Sequence, residues 1–181
     1  MSPSLKLNLR RLHRGIRPGI TPASGRMMAQ CCAVRLEDEG HGQGCTLRID
    51  ADHSHFFVVY WLHATEWMRN DHNEPEVAAE YGAIGIASLL LQDLEACTIV
   101  QRERRRDGRG FDYWVGDADD PLFQKKARLE VKGMNVGDDS RIHDRINRAI
   151  AQTAKSDHTG LPKYIVIVHF GRSIGRLLKM T

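Results

Sequence analysis

The stretch GFDYWVGDADDPLFQKKARLEVKG, from Gly110 to Gly133, places charged side chains inside two otherwise apolar segments. The first segment, FDYWVG, carries Asp112 among aromatic residues, and the second, ARLEVKGM, carries Glu130 and Lys132. Both have the aromatic or β-branched content of strands, and a long polar connection separates them. The pattern predicts two neighbouring strands that each bear a carboxylate.

These charged residues are spaced so that they can meet. Alternate residues of a strand share a face, so Glu130 and Lys132 point the same way, and Asp112 joins them if the two strands pair. Two close carboxylates repel one another and favour a divalent cation, and oxygen ligands suit Mg²⁺ or Mn²⁺. The main-chain oxygen of Val131 is a further candidate ligand. A lysine beside such a cation can orient water or stabilise charge on a phosphodiester, so the spacing predicts a phosphodiester-cleaving site.

Regular elements are predicted on both sides of this stretch. Residues 75–95 form an apolar helix with Pro75 at its first position and Asn73 or Glu74 as its cap. The strands CTIVQRE, FDYWVG and ARLEVKGM follow, then a helix over DDSRIHDRINRAIAQTAKSD and a buried strand, KYIVIVHFG. Asp107-Gly108 marks a hairpin turn between the first two strands. The arginine-rich hairpin tip, Arg102 to Arg109, is either a nucleic-acid contact or a solvated turn.

On Asp112, the triplet Glu130-Val131-Lys132 and this order of elements, residues 75–170 resemble the PD-(D/E)XK nuclease superfamily. The resemblance implies a restriction-endonuclease-like α/β core of order α-β-β-β-α-β, a mixed sheet flanked by helices, and a metal-dependent nuclease. It implies that Asp112 and Glu130 bind the metal and that Lys132 is catalytic. Members often carry a further glutamate on the first core helix, for which Glu80 is the first candidate and Glu76 the second. Phe111 replaces the family's proline before the aspartate.

The second core helix carries a polar stripe beside its apolar face. Five residues of the stripe fall within an arc of about 80°: Arg141, Arg145, Arg148, Gln152 and Lys155. Such a stripe can lie along a phosphate backbone, although a solvated face is the other interpretation. Some nucleases that this chain resembles place a glutamine on this helix near the active site, and Gln152 is the candidate.

The chain is expected to divide into three parts. Residues 1–30 are predicted to be a disordered basic arm, because the first 26 contain six Lys or Arg and no acid. This arm lacks the apolar centre of a secretory signal; a transit peptide and an overlong start are the alternatives. Residues 31–70 are predicted to be a β-rich extension, with CCAVRL and CTLRID as a hairpin and HFFVVYWLH as a third strand. This extension is a candidate homodimer interface, and residues 71–181 form the nuclease-like core.

Composition limits the class of protein. The chain is 41% apolar and 27% charged, as globular proteins are, and no apolar run reaches the roughly 18 residues of a membrane span. Four cysteines without CxxC spacing argue against a zinc site. Because no secretory signal is recognised, the four thiols are expected to be reduced and the protein cytoplasmic. His53 and His55 share a strand face but lack a third ligand. The expected partner is nucleic acid, with DNA preferred and no membrane.

Two other functions are compatible with the same sequence features. A non-catalytic nucleic-acid-binding or assembly module of the same fold would carry the same elements. A regulatory or immunity-type protein would present an exposed apolar patch at residues 56–61 to a partner.

Overall fold

The computed structural model describes residues 5–103 and 110–181. Its elements, in chain order, are β1 (Leu5–Asn8), a 3-10 helix (Leu9–Arg14), α1 (Pro22–Asp38), β2 (Thr46–Asp50), β3 (Ser54–Tyr60), α2 (Glu66–Asp71), α3 (Pro75–Glu95), β4 (Cys97–Arg102), β5 (Tyr113–Asp117), β6 (Ala127–Met134), α4 (Asp139–Ala154), a 3-10 turn (Asp157–Thr159), β7 (Lys163–His169) and β8 (Ile174–Met180). The predicted Asp107-Gly108 turn and most of the arginine-rich tip lie outside the described residues.

Eight strands form one mixed sheet in the order β1-β3-β2-β8-β7-β6-β5-β4. Strands β4, β5 and β6 are antiparallel neighbours, and β6 runs parallel to β7 across the α4 connection. Strand β8, which was not predicted, pairs with β7 and, in parallel, with β2. The prediction of an α/β protein with a mixed sheet is confirmed, as is the element order from α3 to β7.

Helices cover the two faces of the sheet unequally. The 3-10 helix, α1 and α3 contribute to the large apolar core on one face, which includes Leu12, Cys32, Leu90 and Val166. Helix α4 covers the other face over β6 and β7, where Ile142 and Ile146 share a smaller cluster with Ile165 and Ile167. Among the described residues, α3 alone is long and apolar enough to cross a membrane, but 67% of its apolar window is buried inside the protein. It is built as the central helix of a globular domain.

The predicted disordered arm, residues 1–30, is wrong for residues 5–30. Leu7, Leu9 and Leu12 are fully buried, and β1 joins the sheet edge parallel to β3. Helix α1 begins at Pro22, and the hydroxyl of Thr21 accepts a hydrogen bond from the Ser24 N–H. The alternation of leucine with polar residues over 5–9 is a strand signal, and the high positive charge of the segment obscured it.

The predicted β-rich extension, residues 31–70, is wrong over its first part. CCAVRL is the end of α1, so Cys31 and Cys32 lie on a helix and both are buried. All six residues of this run are buried, and a run with no exposed face has no period that separates a helix from a strand. Strands β2 and β3 are confirmed, and they extend the same sheet as β4–β7.

Two glycines of α3 lie where this helix passes close to α1. A Cβ on Gly82 would lie 3.2 Å from the Cys32 nitrogen of α1, and one on Gly85 would lie 3.1 Å from the Met28 Cβ. The Cys32 thiol also donates to the Gly82 carbonyl at 2.9 Å. These glycines therefore let α3 pack closely on another helix.

Candidate functional site

Strand β6 extends beyond its neighbour β5, and this leaves part of its edge open. The β5–β6 pairing runs from Val115 opposite Ala127 to Tyr113 opposite Leu129, whereas β6 pairs with β7 as far as Met134. Residues 130–134 therefore have a partner strand on one side, and no β5 residue within the described ranges on the other. An edge of this kind exposes backbone groups and leaves room for a site.

Asp112 lies at the point where the two strands separate. It is the residue before β5, so the prediction that it lies inside the strand is off by one position. Its N–H donates to the Leu129 carbonyl at 2.9 Å, and its Oδ2 accepts from the Val131 N–H at 3.0 Å. The N–H and C=O of one strand residue point to the same edge, so the Val131 carbonyl also faces this side.

Glu130 is a carboxylate inside the protein interior, with 0% of its surface exposed. Lys132 Nζ lies 2.6 Å from its Oε1 as an ion pair. Apart from this ion pair, neither carboxylate oxygen accepts a hydrogen bond from the described part of the chain. Burial is the main cause that raises the pKa of Glu130 to about 7, and the charge of Asp112 adds to it while Lys132 opposes it. The structure thus brings Asp112, Glu130 and Lys132 together.

Helix α4 packs on the face of the sheet that carries these two residues. Glu130 lies opposite Ile165, and Lys132 lies opposite Ile167, and both isoleucines contact the apolar side of α4. The polar stripe of α4 therefore borders Lys132.

A cleft of about 540 Å³ opens at the end of β6. Its walls come from α3, from the end of β6 and from α4: Glu76, Val77, Glu80, Lys132, Gly133, Met134, Asn135, Val136, Arg141, Asp144, Arg145 and Arg148. A second cavity of about 180 Å³ lies on the Asp112 side, against Tyr81, Arg102 and Tyr113. Glu80 lines both cavities, whereas exposed Glu76 lines only the larger one.

Close packing of β6 on α3 places Glu80 next to the lysine. A Cβ on Gly133 would lie 2.0 Å from the Ala79 carbonyl oxygen and 2.8 Å from the Glu80 nitrogen. Only glycine leaves room for the helix backbone at this position. Asn135 holds the same junction, since its amide donates to the Pro75 carbonyl at 2.9 Å and its oxygen accepts from Arg35 at 2.9 Å.

The predicted polar stripe is divided between two places. Arg141, Arg145 and Arg148 line the cleft, are exposed, and form no ion pair or side-chain hydrogen bond with a described residue. Gln152 and Lys155 do not line the cleft. They lie at the other end of α4, where a Cβ on Gly110 would be 2.0 Å from the Gln152 oxygen.

Tyr81 and Tyr113 of the smaller cavity were not predicted as site residues, and Arg102 was considered only as part of the arginine-rich hairpin tip. Burial raises the pKa of Tyr113 to about 12; Arg102 opposes the shift, and Asp112, Tyr81 and Glu80 add to it. Tyr113 directly follows Asp112, and Tyr81 directly follows Glu80. Their positions next to two predicted site residues were the signal in the sequence that could have identified them. Arg102 reaches this cavity through the pairing of β4 with β5, in which it lies opposite Tyr113.

No protein-family model, curated protein or solved structure matches this chain. Within residues 5–103 and 110–181, no group of three or more His, Cys, Asp or Glu is placed to hold a metal ion.

Proposed function

We propose that this protein is a metal-dependent nuclease with a restriction-endonuclease-like core, and that it hydrolyses phosphodiester bonds of nucleic acid, with DNA as the expected substrate. The observation that carries the proposal is Glu130. A fully buried carboxylate that lies beside a second carboxylate, with Lys132 as its ion-pair partner among the described residues, is costly, and a divalent cation would offset that cost.

The fold supports the same assignment. An apolar helix, an antiparallel three-strand unit, a crossover helix and a parallel fourth strand follow one another from α3 to β7. This is the order that the resemblance implies. Asp112 directly precedes β5, and Glu130 and Lys132 lie on the part of β6 that β5 does not pair with.

The residues present fit Mg²⁺ or Mn²⁺. Asp112 and Glu130 would hold the ion, with the Val131 carbonyl facing the same side. Mg²⁺ commonly uses one or two carboxylates and completes its shell with water and substrate phosphate, so a two-carboxylate site suffices. When bound, the ion supplies Lewis-acid polarisation and charge neutralisation at the phosphate.

The remaining groups have separate tasks in this proposal. With a bound ion holding Glu130, the Lys132 ammonium would be free to donate to a phosphate oxygen or to orient a water for attack. Arg141, Arg145 and Arg148 bind the phosphates of the strand that enters the cleft, because none of them forms an ion pair with a described residue. Glu80, which lines both cavities, would accept a hydrogen bond from the attacking water or from a water held by a bound ion.

Cleavage assays test the proposal directly. Supercoiled plasmid, single-stranded DNA and single-stranded RNA are incubated with Mg²⁺, with Mn²⁺ or with EDTA. Wild type should cut in the presence of metal, and Asp112→Asn and Lys132→Met should each reduce cutting by at least about 100-fold. Lys126→Met, a change at an exposed lysine paired with Asp117, should leave cutting unchanged. Equal cutting by wild type and Lys132→Met would contradict the assigned site.

A non-catalytic nucleic-acid-binding module of the same fold is the second candidate, because the exposed arginines of the cleft would bind phosphates with or without a catalytic centre. Under that alternative, wild type binds DNA and cuts nothing with either metal. Loss of binding on removal of Arg145 and Arg148, without any cleavage by wild type, would establish it.

A further inference from the structure

On the face of the sheet that carries α4, part of strand β3 is exposed. Every second residue of β3 points to this side, and Phe56, Val58 and Tyr60 form a row along it. Phe56 is 46% exposed and Tyr60 is 39% exposed, whereas Phe57 and Val59 between them are buried in the core. We refer to Phe56, Val58 and Tyr60 as the aromatic row.

Polar and basic side chains flank the aromatic row on both neighbouring strands. On β2, Arg48 lies opposite Phe56, and on β1, Lys6 lies opposite Val58. Lys6 makes no ion pair with a described residue, and Arg48 is paired with Asp50, which it shares with Arg176. Two arginines on one aspartate and one unpaired lysine leave a net positive surface around the aromatic rings.

From this arrangement we propose that the aromatic row and its basic neighbours bind single-stranded nucleic acid, with unpaired bases stacked on Phe56 and Tyr60. The assignment deepens the proposed function, on which it rests, by naming an unpaired strand as part of the substrate. Base faces are available for stacking only where bases are unpaired, because a duplex presents base edges and phosphates. Aromatic side chains on a basic surface are how sequence-tolerant single-strand sites are built.

The spacing suits two bases. Phe56 and Tyr60 are four residues apart on one strand, which corresponds to roughly 13 Å. Rings at this separation accept different bases of one chain, and the smaller Val58 lies between them. Lys6 and Arg48, on the strands either side, are placed for the phosphates.

The aromatic row is connected with the cleft across the sheet. Phe56, Arg48, Ile174, His169 and Met134 lie in one cross-strand register, and Met134 lines the cleft. Four strand spacings separate Phe56 from Met134, or roughly 19 Å. A short oligonucleotide can span this distance on one face of the protein.

Basic side chains continue along that path. Arg172 lies 2.5 Å from Asp139, the first residue of α4, and Arg141 of the cleft follows two residues later. Arg172 is the main cause that lowers the pKa of Asp139, and Arg176 and Arg48 contribute to it from β8 and β2. Arginines therefore border the surface from the aromatic row to the cleft.

A second copy of the chain is the competing occupant, since residues 31–70 were predicted as a homodimer interface. Phe56 and Tyr60 together expose roughly 200 Å² of their surface, whereas a stable interface buries about 800 Å² on each partner. The row is one strand wide and has charged or polar residues on both sides. These dimensions favour a narrow polyanion over a protein face.

Fluorescence anisotropy of a labelled 20-nucleotide oligo(dT), in EDTA so that nothing is cut, tests the inference. Phe56→Ala and Tyr60→Ala should each weaken binding by about 5- to 150-fold, the effect of losing one stacked base. Trp67→Ala removes an aromatic side chain that is 87% exposed on α2, and should leave binding unchanged. Lys6→Met should lower the slope of log affinity against log salt by about 0.7. Unfolding curves should be unaltered in all four variants.

Three results would overturn the inference. The first is equal binding of oligo(dT) by wild type and the Phe56→Ala/Tyr60→Ala double variant. The second is an equal loss of oligo(dT) and duplex binding in that variant, which would remove stacking as the cause. The third is a wild-type dimer in light scattering that the double variant converts to monomer, which would make this face a protein interface.

The outcomes also separate this inference from the proposed function. If wild type cuts and Lys132→Met does not, while the double variant binds and cuts as wild type does, the nuclease assignment stands and the single-strand site falls. If wild type cuts nothing but binds oligo(dT) through Phe56 and Tyr60, the single-strand site stands and the nuclease assignment falls.

Discussion

Replacing Glu130 by glutamine should make the metal-free protein more stable at alkaline pH. The wild-type carboxyl is fully buried, and folding raises its pKa from the ordinary glutamate value of 4.5 to about 7. Folding therefore favours the protonated form of Glu130. The loss in free energy of unfolding caused by burying the charge is absent below pH 4.5, grows between pH 4.5 and 7, and is complete above pH 7. At 1.36 kcal/mol per pKa unit, the cost at pH 8 is about 3 kcal/mol.

Glutamine keeps the size of the side chain and removes the ionisation. Its amide can donate to Asp112, and Lys132, which is partly exposed, can turn towards solvent. In EDTA at pH 8 we expect Glu130→Gln to gain about 3 kcal/mol, or roughly 6–12 °C in the unfolding midpoint for a chain of this length. At pH 5 the two proteins should be nearly equal.

Urea unfolding at pH 5, 6, 7 and 8 in EDTA measures the effect, with Glu76→Gln on the exposed side of α3 as the matched control. The control should change stability by no more than about 0.5 kcal/mol at any pH. Addition of Mg²⁺ at pH 8 should stabilise wild type and leave Glu130→Gln almost unchanged. A Glu130→Gln protein that is no more stable than wild type at pH 8 would refute the account of Glu130 as a costly buried charge.

Three further outcomes are expected. Mg²⁺ affinity should rise as pH passes about 7, because Glu130 must release up to one proton for each ion bound. Calorimetry in two buffers of different ionisation enthalpy measures the number of protons released. An equal proton release by Glu130→Gln would count against Glu130 as the source. Gly133→Ala should cost about 1–3 kcal/mol in urea unfolding, because the new Cβ meets a main-chain oxygen of α3 at 2.0 Å. Gly42→Ala, which adds a Cβ in open space, should cost far less. Arg145→Gln and Arg148→Gln should each lower the salt slope of duplex-DNA binding by about 0.9 without changing the unfolding midpoint, and an unchanged slope would exclude phosphate contacts there.

The element order of the second half of the chain could be predicted because its signals are local. Strand β6 coincides with the apolar run ARLEVKGM, and β7 with a fully buried KYIVIVH. Pro75 begins α3 and Asp138 caps α4 as their positions indicate. Period-2 spacing also placed Glu130 and Lys132 on one face.

The first 38 residues show where local signals fail. Six positive charges obscured the leucine alternation that forms β1, and CCAVRL forms a helix because α3 packs against it. The burial of such segments depends on residues 50 or more positions away, such as the Gly82 carbonyl that contacts Cys32.

The order of residues alone specified which chemical groups this protein has and their spacing along each strand and helix, since φ and ψ preferences and side-chain periods act over a few residues. Everything that depends on the assembly of the sheet came from tertiary packing. That packing buried Glu130 beside Asp112, let Gly133 bring Glu80 to the cleft, and separated Gln152 from the arginines that precede it. Such effects of burial and charge depend on distance through space, and the local pattern carries no record of that distance.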